Sequence, residues 1–224
     1  MIVRRLGDYD TLSREAARLI ADQIRAKPTF VLGLAAGKTP IGTYKELVRL
    51  HLEEGLDVSG VVFFNLDEYE GLPESHPQGF AWFLHHHLIG QIGFFKKNPH
   101  FLTGIAAKAS AITFEGAIRE AGGIDLQILG IGRNGHIGFN EPGSSFESRT
   151  RVVTLAHEGP PGTPPTAVTM GIATILDSRR ILLLAAGDKA DILRKAIEGP
   201  MTEDLPASAL QQHPDVTILH NCEL

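Results

Sequence analysis

Residues 31–40 read Val-Leu-Gly-Leu-Ala-Ala-Gly-Lys-Thr-Pro, VLGLAAGKTP. The run that contains their start, TFVLGL (29–34), has the continuous apolar character of a strand buried on both faces. Thr39-Pro40 then predicts a helix start, with the threonine as N-cap and the proline at the first helical position. The stretch resembles the nucleotide-phosphate loop G-x-x-x-x-G-K-[ST], yet only three residues separate Gly33 from Gly37, and Leu32 stands where the first glycine is required. The spacing fails by one residue while the physics of anion binding survives. A glycine turn feeding a helix N-terminus presents free N–H groups and the positive end of a helix dipole. The stretch is read as a phosphate-binding loop, with the nucleotide left open.

Outward from this strand–loop–helix unit the same alternation continues. Apolar runs VVFFNL (61–66), DLQILGI (125–131), RVVTLA (151–156), RILLLAA (180–186) and VTIL (216–219) predict further strands. Segments 10–27, 41–55, 110–122 and 189–199 carry apolar residues at three- and four-residue spacing and predict helices. The pattern predicts an α/β fold: a modified Rossmann-like, doubly wound, mostly parallel sheet with helices on both faces. The Pro/Gly-rich stretch HEGPPGTPPTA (157–167) is too short to separate domains, so residues 1–224 are read as one domain. A chain of 224 residues, 43% hydrophobic, can bury such a core. No window approaches the ~20 apolar residues of a membrane span, and the N-terminus MIVRRLGDYD lacks the apolar centre of a signal peptide, so a cytoplasmic location is expected. The one cysteine, Cys222, excludes an intramolecular disulfide and a cysteine zinc site, and a net charge of −5 offers no general attraction to nucleic acid or to an anionic membrane.

Ligands of doubly wound sheets sit beyond the carboxyl ends of the strands. There the second run continues into Asp67-Glu68, a pair that could bind magnesium, act as a base or cap a turn. The third run continues GIGRNGHIGFNEPGSSFESRT (130–150). Gly130, Gly132 and Gly135 spell the dinucleotide fingerprint G-x-G-x-x-G. The following HIGFNEP is punctuated by Gly and Pro where a helix should open, and the neighbourhood of the expected acid reads Arg149, Thr150, Arg151. What remains is a rigid turn that brings His136, Asn140 and Glu141 together, an acid/base constellation rather than core filler. His85-His86-His87 is read as helix surface with one histidine turned toward the core, because consecutive helical residues point about 100° apart and cannot converge on one ion.

The stretches LGLAAGKTPIGTYKEL, FFNLDEYEGL, LGIGRNGHIGFNEPGSSFESRTRVVTL, AVTMGIATIL and DLPASALQQHPDVTIL together resemble the glucosamine-6-phosphate deaminases, also called isomerases, along nearly the whole chain. The resemblance implies conversion of glucosamine 6-phosphate and water to fructose 6-phosphate and ammonium, with no metal or organic cofactor. By the same resemblance Asp67 matches the base at the amine-bearing carbon, His136 the ring-opening histidine and Glu141 its orienting carboxylate. Ala36, Gly37, Lys38 and Thr39 form the sugar-phosphate loop, Lys189 is the phosphate-binding lysine, and Gly135 belongs with the substrate-binding residues. Three departures stand out. Asn134 occupies the place of an aspartate that partners the histidine, which leaves Glu141 to orient the ring alone. EGPPGTPPTAVTM replaces a helical lid whose arginine contacts the phosphate, and no arginine lies between Arg151 and Arg179. The C-terminal extension of hexameric, allosteric members is missing, so a monomer or small homo-oligomer is expected. Lys38 is then the expected substitute for the lid arginine. A galactosamine 6-phosphate deaminase, a phosphogluconolactonase and a non-enzymatic sugar-phosphate sensor are the alternatives.

Overall fold

The computed structural model describes residues 1–93, 99–155 and 161–223. In chain order its elements are β1 (Ile2–Arg5), α1 (Tyr9–Ala26), β2 (Val31–Leu34), α2 (Ile41–Glu54), β3 (Val62–Asn65), β4 (Asp67–Tyr69), α3 (Phe80–Leu84, continued by a π turn over His85–Ile89), β5 (Pro99–His100), α4 (Ala107–Glu120), β6 (Leu126–Gly130), β7 (Arg151–Thr154), β8 (Thr166–Thr169), α5 (Ile172–Leu176), β9 (Ile181–Ala185), α6 (Ala190–Glu198), a 3-10 turn over Pro206–Gln212, and β10 (Val216–His220).

Seven strands form one sheet in the order β1-β10-β9-β6-β2-β3-β5, and every pairing is parallel. From its centre, β2, β3 and β5 run outward to one side and β6, β9 and β10 to the other. Crossovers between parallel strands are right-handed, so reversing the direction of winding sends the connecting helices to opposite faces. This is the doubly wound fold expected from the alternation of runs. Its crevice opens at the switch point, between the carboxyl ends of β2 and β6. The central strands are buried along their length: β2 shows no exposed residue, and Phe63, Phe64, Ile128, Leu129 and Leu183 are all at most 2% exposed. Helix α1 starts where Asp8 accepts a 2.6 Å bond from the Thr11 N–H, and it buries Leu12, Ala16, Ile20 and Ile24 on one face.

The structure corrects several local expectations. RVVTLA does not join the parallel sheet. Arg151–Thr154 pairs antiparallel with β8, which pairs antiparallel with β4, making a separate three-stranded sheet. Strand β7 is only partly covered, and an apolar run by itself does not say which sheet it joins. The short strands β1, β4, β5 and β8 lie outside the apolar runs read as strands. Thr39 is not the N-cap of α2; Pro40 holds that position and makes no side-chain cap bond. Of the segment expected to stand in for a lid (158–170), residues 158–160 lie outside the described residues. Pro161 accepts a 2.8 Å bond from Gln78, and Thr166–Thr169 form β8. None of His85, His86 and His87 is buried; His86 stacks on Trp82 at 4.8 Å and His87 packs on Phe83 at 4.4 Å. Among the described residues no helix is long and apolar enough to cross a membrane, and no three His, Cys, Asp or Glu side chains cluster as a metal site requires.

Candidate active site

A cavity of about 610 Å³ fills the switch-point crevice. The loop after β2 contributes Ala36, Gly37, Lys38 and Thr39, the end of β3 leads to Leu66 and Asp67, the turn after β6 contributes Arg133, Asn134 and His136, and the turn after β9 contributes Lys189. Residues separated by up to about 150 positions in the chain therefore meet because each follows a strand of one parallel sheet.

The first loop is fixed from behind. The Tyr44 hydroxyl donates to the Ala35 carbonyl at 2.6 Å and accepts from the Ala35 N–H at 3.1 Å. The Tyr9 hydroxyl lies 3.2 and 3.0 Å from the carbonyl oxygens of Lys38 and Thr39 and accepts from the Gly42 N–H at 2.9 Å. Neither tyrosine lines the cavity, so these carbonyls are tied on its far side. Gly37 has φ of 115°, a conformation that a side chain would strain. Helices α2 and α6 both begin beside the cavity, and neither cap residue makes a side-chain bond; apart from the Gly42 N–H that the Tyr9 hydroxyl takes, the two helix starts set the positive ends of their dipoles beside the cavity.

His136 is oriented by a small network. Asn134 Nδ2 donates to Glu141 Oε2 at 2.5 Å, which turns Asn134 Oδ1 toward the imidazole. His136 Nδ1 lies 2.8 Å from that Oδ1 and 3.2 Å from Glu141 Oε1. Both neighbours are acceptors, so Nδ1 carries the proton and the neutral ring has its lone pair on Nε2. Glu141 thus does not orient the ring alone: the amide that replaces the expected aspartate shares the work. Glu141 acts from outside the cavity lining, and so does Gly135, whose carbonyl accepts from Ala207 N–H at 2.9 Å and whose face packs against Leu205. Asn140 is fully buried and structural; its Nδ2 donates to the carbonyls of Ile137 and Met170, and its Oδ1 accepts from Arg151.

Asp67 is 6% exposed, and among the described residues no donor reaches its carboxyl. Burial pushes that carboxyl well above the usual carboxylate range, and the adjacent Glu68 charge pushes it further. Glu68 is itself raised by burial, an effect its backbone partners partly offset. It accepts from Tyr69 N–H at 2.8 Å and Phe80 N–H at 3.0 Å on one oxygen, and from Ala81 N–H at 2.8 Å on the other. These bonds dock the start of α3 on β4. Phe80 is thereby stacked on Phe139 at 5.6 Å, and both rings form the cavity's apolar wall. Partial burial, and then the nearby Arg133 charge, lower the Lys189 ammonium. The sequence pointed to neither Phe80 nor Arg133. Arg133 lay in plain view inside GIGRNGH, whereas nothing local marks Phe80.

A model of the family described as glucosamine-6-phosphate isomerases/6-phosphogluconolactonase matches residues 8–219. The chain belongs to this family. Similar members of the glucosamine-6-phosphate isomerase/6-phosphogluconolactonase family include a glucosamine-6-phosphate deaminase of Thermoanaerobacter pseudethanolicus, 44% identical with 95% of this chain and 89% of the relative covered. Glucosamine-6-phosphate deaminase 2 of Bacillus subtilis is 47% identical, with 94% and 91% covered. A solved monomeric glucosamine-6-phosphate deaminase is 45% identical and superposes with a TM-score of 0.94 over 98% of this chain and 97% of its own. A 6-phosphogluconolactonase from Shewanella baltica, 19% identical with a TM-score of 0.82 over 98% and 97% of the two chains, shares the fold. The family is the one the sequence motifs resemble.

Proposed function

We propose that this chain is a glucosamine-6-phosphate deaminase, converting glucosamine 6-phosphate and water to fructose 6-phosphate and ammonium. The observation that carries the reading is one cavity holding three separate devices: a buried carboxyl with no donor on it among the described residues, a histidine with a defined tautomer, and a glycine loop flanked by cations. In this mechanism His136 Nε2 moves a proton between the anomeric hydroxyl and the ring oxygen, opening the sugar, while Asn134 and Glu141 hold the ring in place. Asp67 then takes the proton from the carbon bearing the amine, giving an enolamine. Return of a proton to the former aldehyde carbon makes a ketimine at the carbon that bore the amine; water adds to that ketimine carbon and ammonium leaves, giving the ketose. An apolar wall beside Asp67 keeps its carboxyl basic enough for a carbon acid, which an ordinary solvated aspartate is not. Lys189, Lys38, Thr39 and the N–H groups of Ala36 and Gly37 hold the phosphate.

On this reading the chain acts as one domain on a small phosphorylated amino sugar, as a monomer or small oligomer in the cytoplasm, with no metal or organic cofactor. Incubating the purified protein with glucosamine 6-phosphate, galactosamine 6-phosphate and 6-phosphogluconolactone, and measuring ammonium, ketose phosphate and acid release, tests it. Ammonium with fructose 6-phosphate from the first substrate is expected; acid release from the lactone without ammonium from either amino sugar refutes it.

A further inference from the structure

Most arginines of this chain are held in ion pairs, for example Arg4 with Glu15, Arg49 with Glu46 and Arg179 with Asp125. Arg133 differs: among the described residues its side chain makes neither an ion pair nor a hydrogen bond. It follows β6 after Gly132, is exposed, and lines the main cavity. It also lines a recess of about 280 Å³ with Asp188, Lys189, Asp191 and Ile192. Arg133 and Lys189 thus border the two spaces from both sides, near enough that the guanidinium charge contributes to lowering the lysine. Lys38, which also lines the main cavity, is likewise in no ion pair among the described residues. Among the described residues neither Asp188 nor Asp191, the carboxylates of the recess, forms an ion pair with Arg133, so the like charges of Arg133 and Lys189 repel, and an anion placed between them lowers that repulsion.

We infer that Arg133 is the guanidinium of the phosphate site, holding the phosphate of the bound sugar together with Lys189 and Lys38. This rests on the proposed phosphate site and adds the residue that sets its affinity. A guanidinium presents two parallel N–H groups to two phosphate oxygens, a match that an ammonium cannot make. The carboxylates of Asp188 and Asp191 are the competing partners inside the protein, and Asp191 already faces Arg194 at 3.8 Å.

The test measures binding of inorganic phosphate by calorimetry, and KM and kcat for glucosamine 6-phosphate, in wild type, Arg133→Gln, Arg133→Lys and Lys189→Ala. Arg133 is exposed, so its substitution leaves the core untouched, and thermal unfolding checks that. Arg133→Gln is expected to weaken phosphate binding about tenfold or more and to flatten its salt dependence, with the loss appearing in KM rather than kcat. Arg133→Lys falls between it and wild type. Phosphate binding unchanged in Arg133→Gln but lost in Lys189→Ala overturns the role of Arg133 and leaves the phosphate site standing. Binding unchanged in both variants overturns the phosphate site itself, and the inference with it.

Discussion

Replacing Gly132 with alanine isolates the position of the His136 ring from every other feature of the site. A Cβ on Gly132 would lie 2.3 Å from His136 Cε1 and 2.4 Å from each ring nitrogen, where ordinary contact begins at 3.4 Å. The ring must therefore retreat by about 1 Å, and a misplacement of that size typically costs about 10²-fold in rate. Its partners cannot follow. Asn134 is tied to Glu141 at 2.5 Å and to the His136 backbone N–H at 3.2 Å, so the 2.8 Å bond from Nδ1 is stretched or lost. The obstacle is a side chain at the edge of a cavity rather than packed backbone, and Gly132 lies outside the left-handed region, so the fold absorbs the change. Ammonium release from glucosamine 6-phosphate is expected to fall about 10²-fold while the thermal midpoint moves by no more than a few degrees, the size expected for ~1 kcal/mol or less. A variant that folds normally and keeps more than about a third of wild-type turnover would show that the ring position is immaterial, and with it the proposed role of His136.

Asp67→Asn should reduce ammonium release by about 10² to 10⁴ while sugar-phosphate binding persists, because an amide takes no proton from carbon. The same variant carries a pH signature. The native carboxyl is raised by burial, so the folded chain holds that proton more firmly than the unfolded one, and wild type loses stability as pH rises from the ordinary carboxylate range through the native value. Asparagine has no such loss, so the variant's thermal midpoint should exceed wild type at about pH 8 and the gap should close by about pH 4; an unchanged gap refutes the raised carboxyl. Glu68→Gln removes the charge beside Asp67 and should move the acid limb of kcat/KM to lower pH, and an unmoved limb assigns that limb to another group. Lys38→Ala should raise KM about tenfold with little change in kcat, the pattern of lost uniform binding; equal affinity at low and moderate salt makes Lys38 a surface residue.

The sequence by itself determined the elements whose causes are local. TFVLGL, VVFFNL, DLQILGI and RILLLAA are legible as strands because a parallel strand covered on both faces must be apolar throughout, and AAGKTP stands out as a candidate anion loop because glycine and a helix start lie in one short stretch. Asp67, His136 and Lys189 could be picked out for a related reason: in a parallel sheet the site residues follow strand ends, so finding the strands finds the candidates. Only the tertiary structure decided how those candidates are tuned. Whether the residues after VVFFNL form a solvated turn or a buried strand depends on β8, about a hundred residues away, and that pairing is what sinks Asp67 and raises its carboxyl. The choice between a lone Glu141 and a shared Asn134–Glu141 network depended on side-chain torsions within the turn, which residue spacing does not specify. Phe80 reaches the cavity because Glu68 binds the start of α3, and Arg133 comes to line the cavity because the fold sets the turn after β6 beside Lys189. Periodicity reports what a segment needs from its surroundings; which segment supplies it is a long-range contact, fixed only when the whole chain has packed.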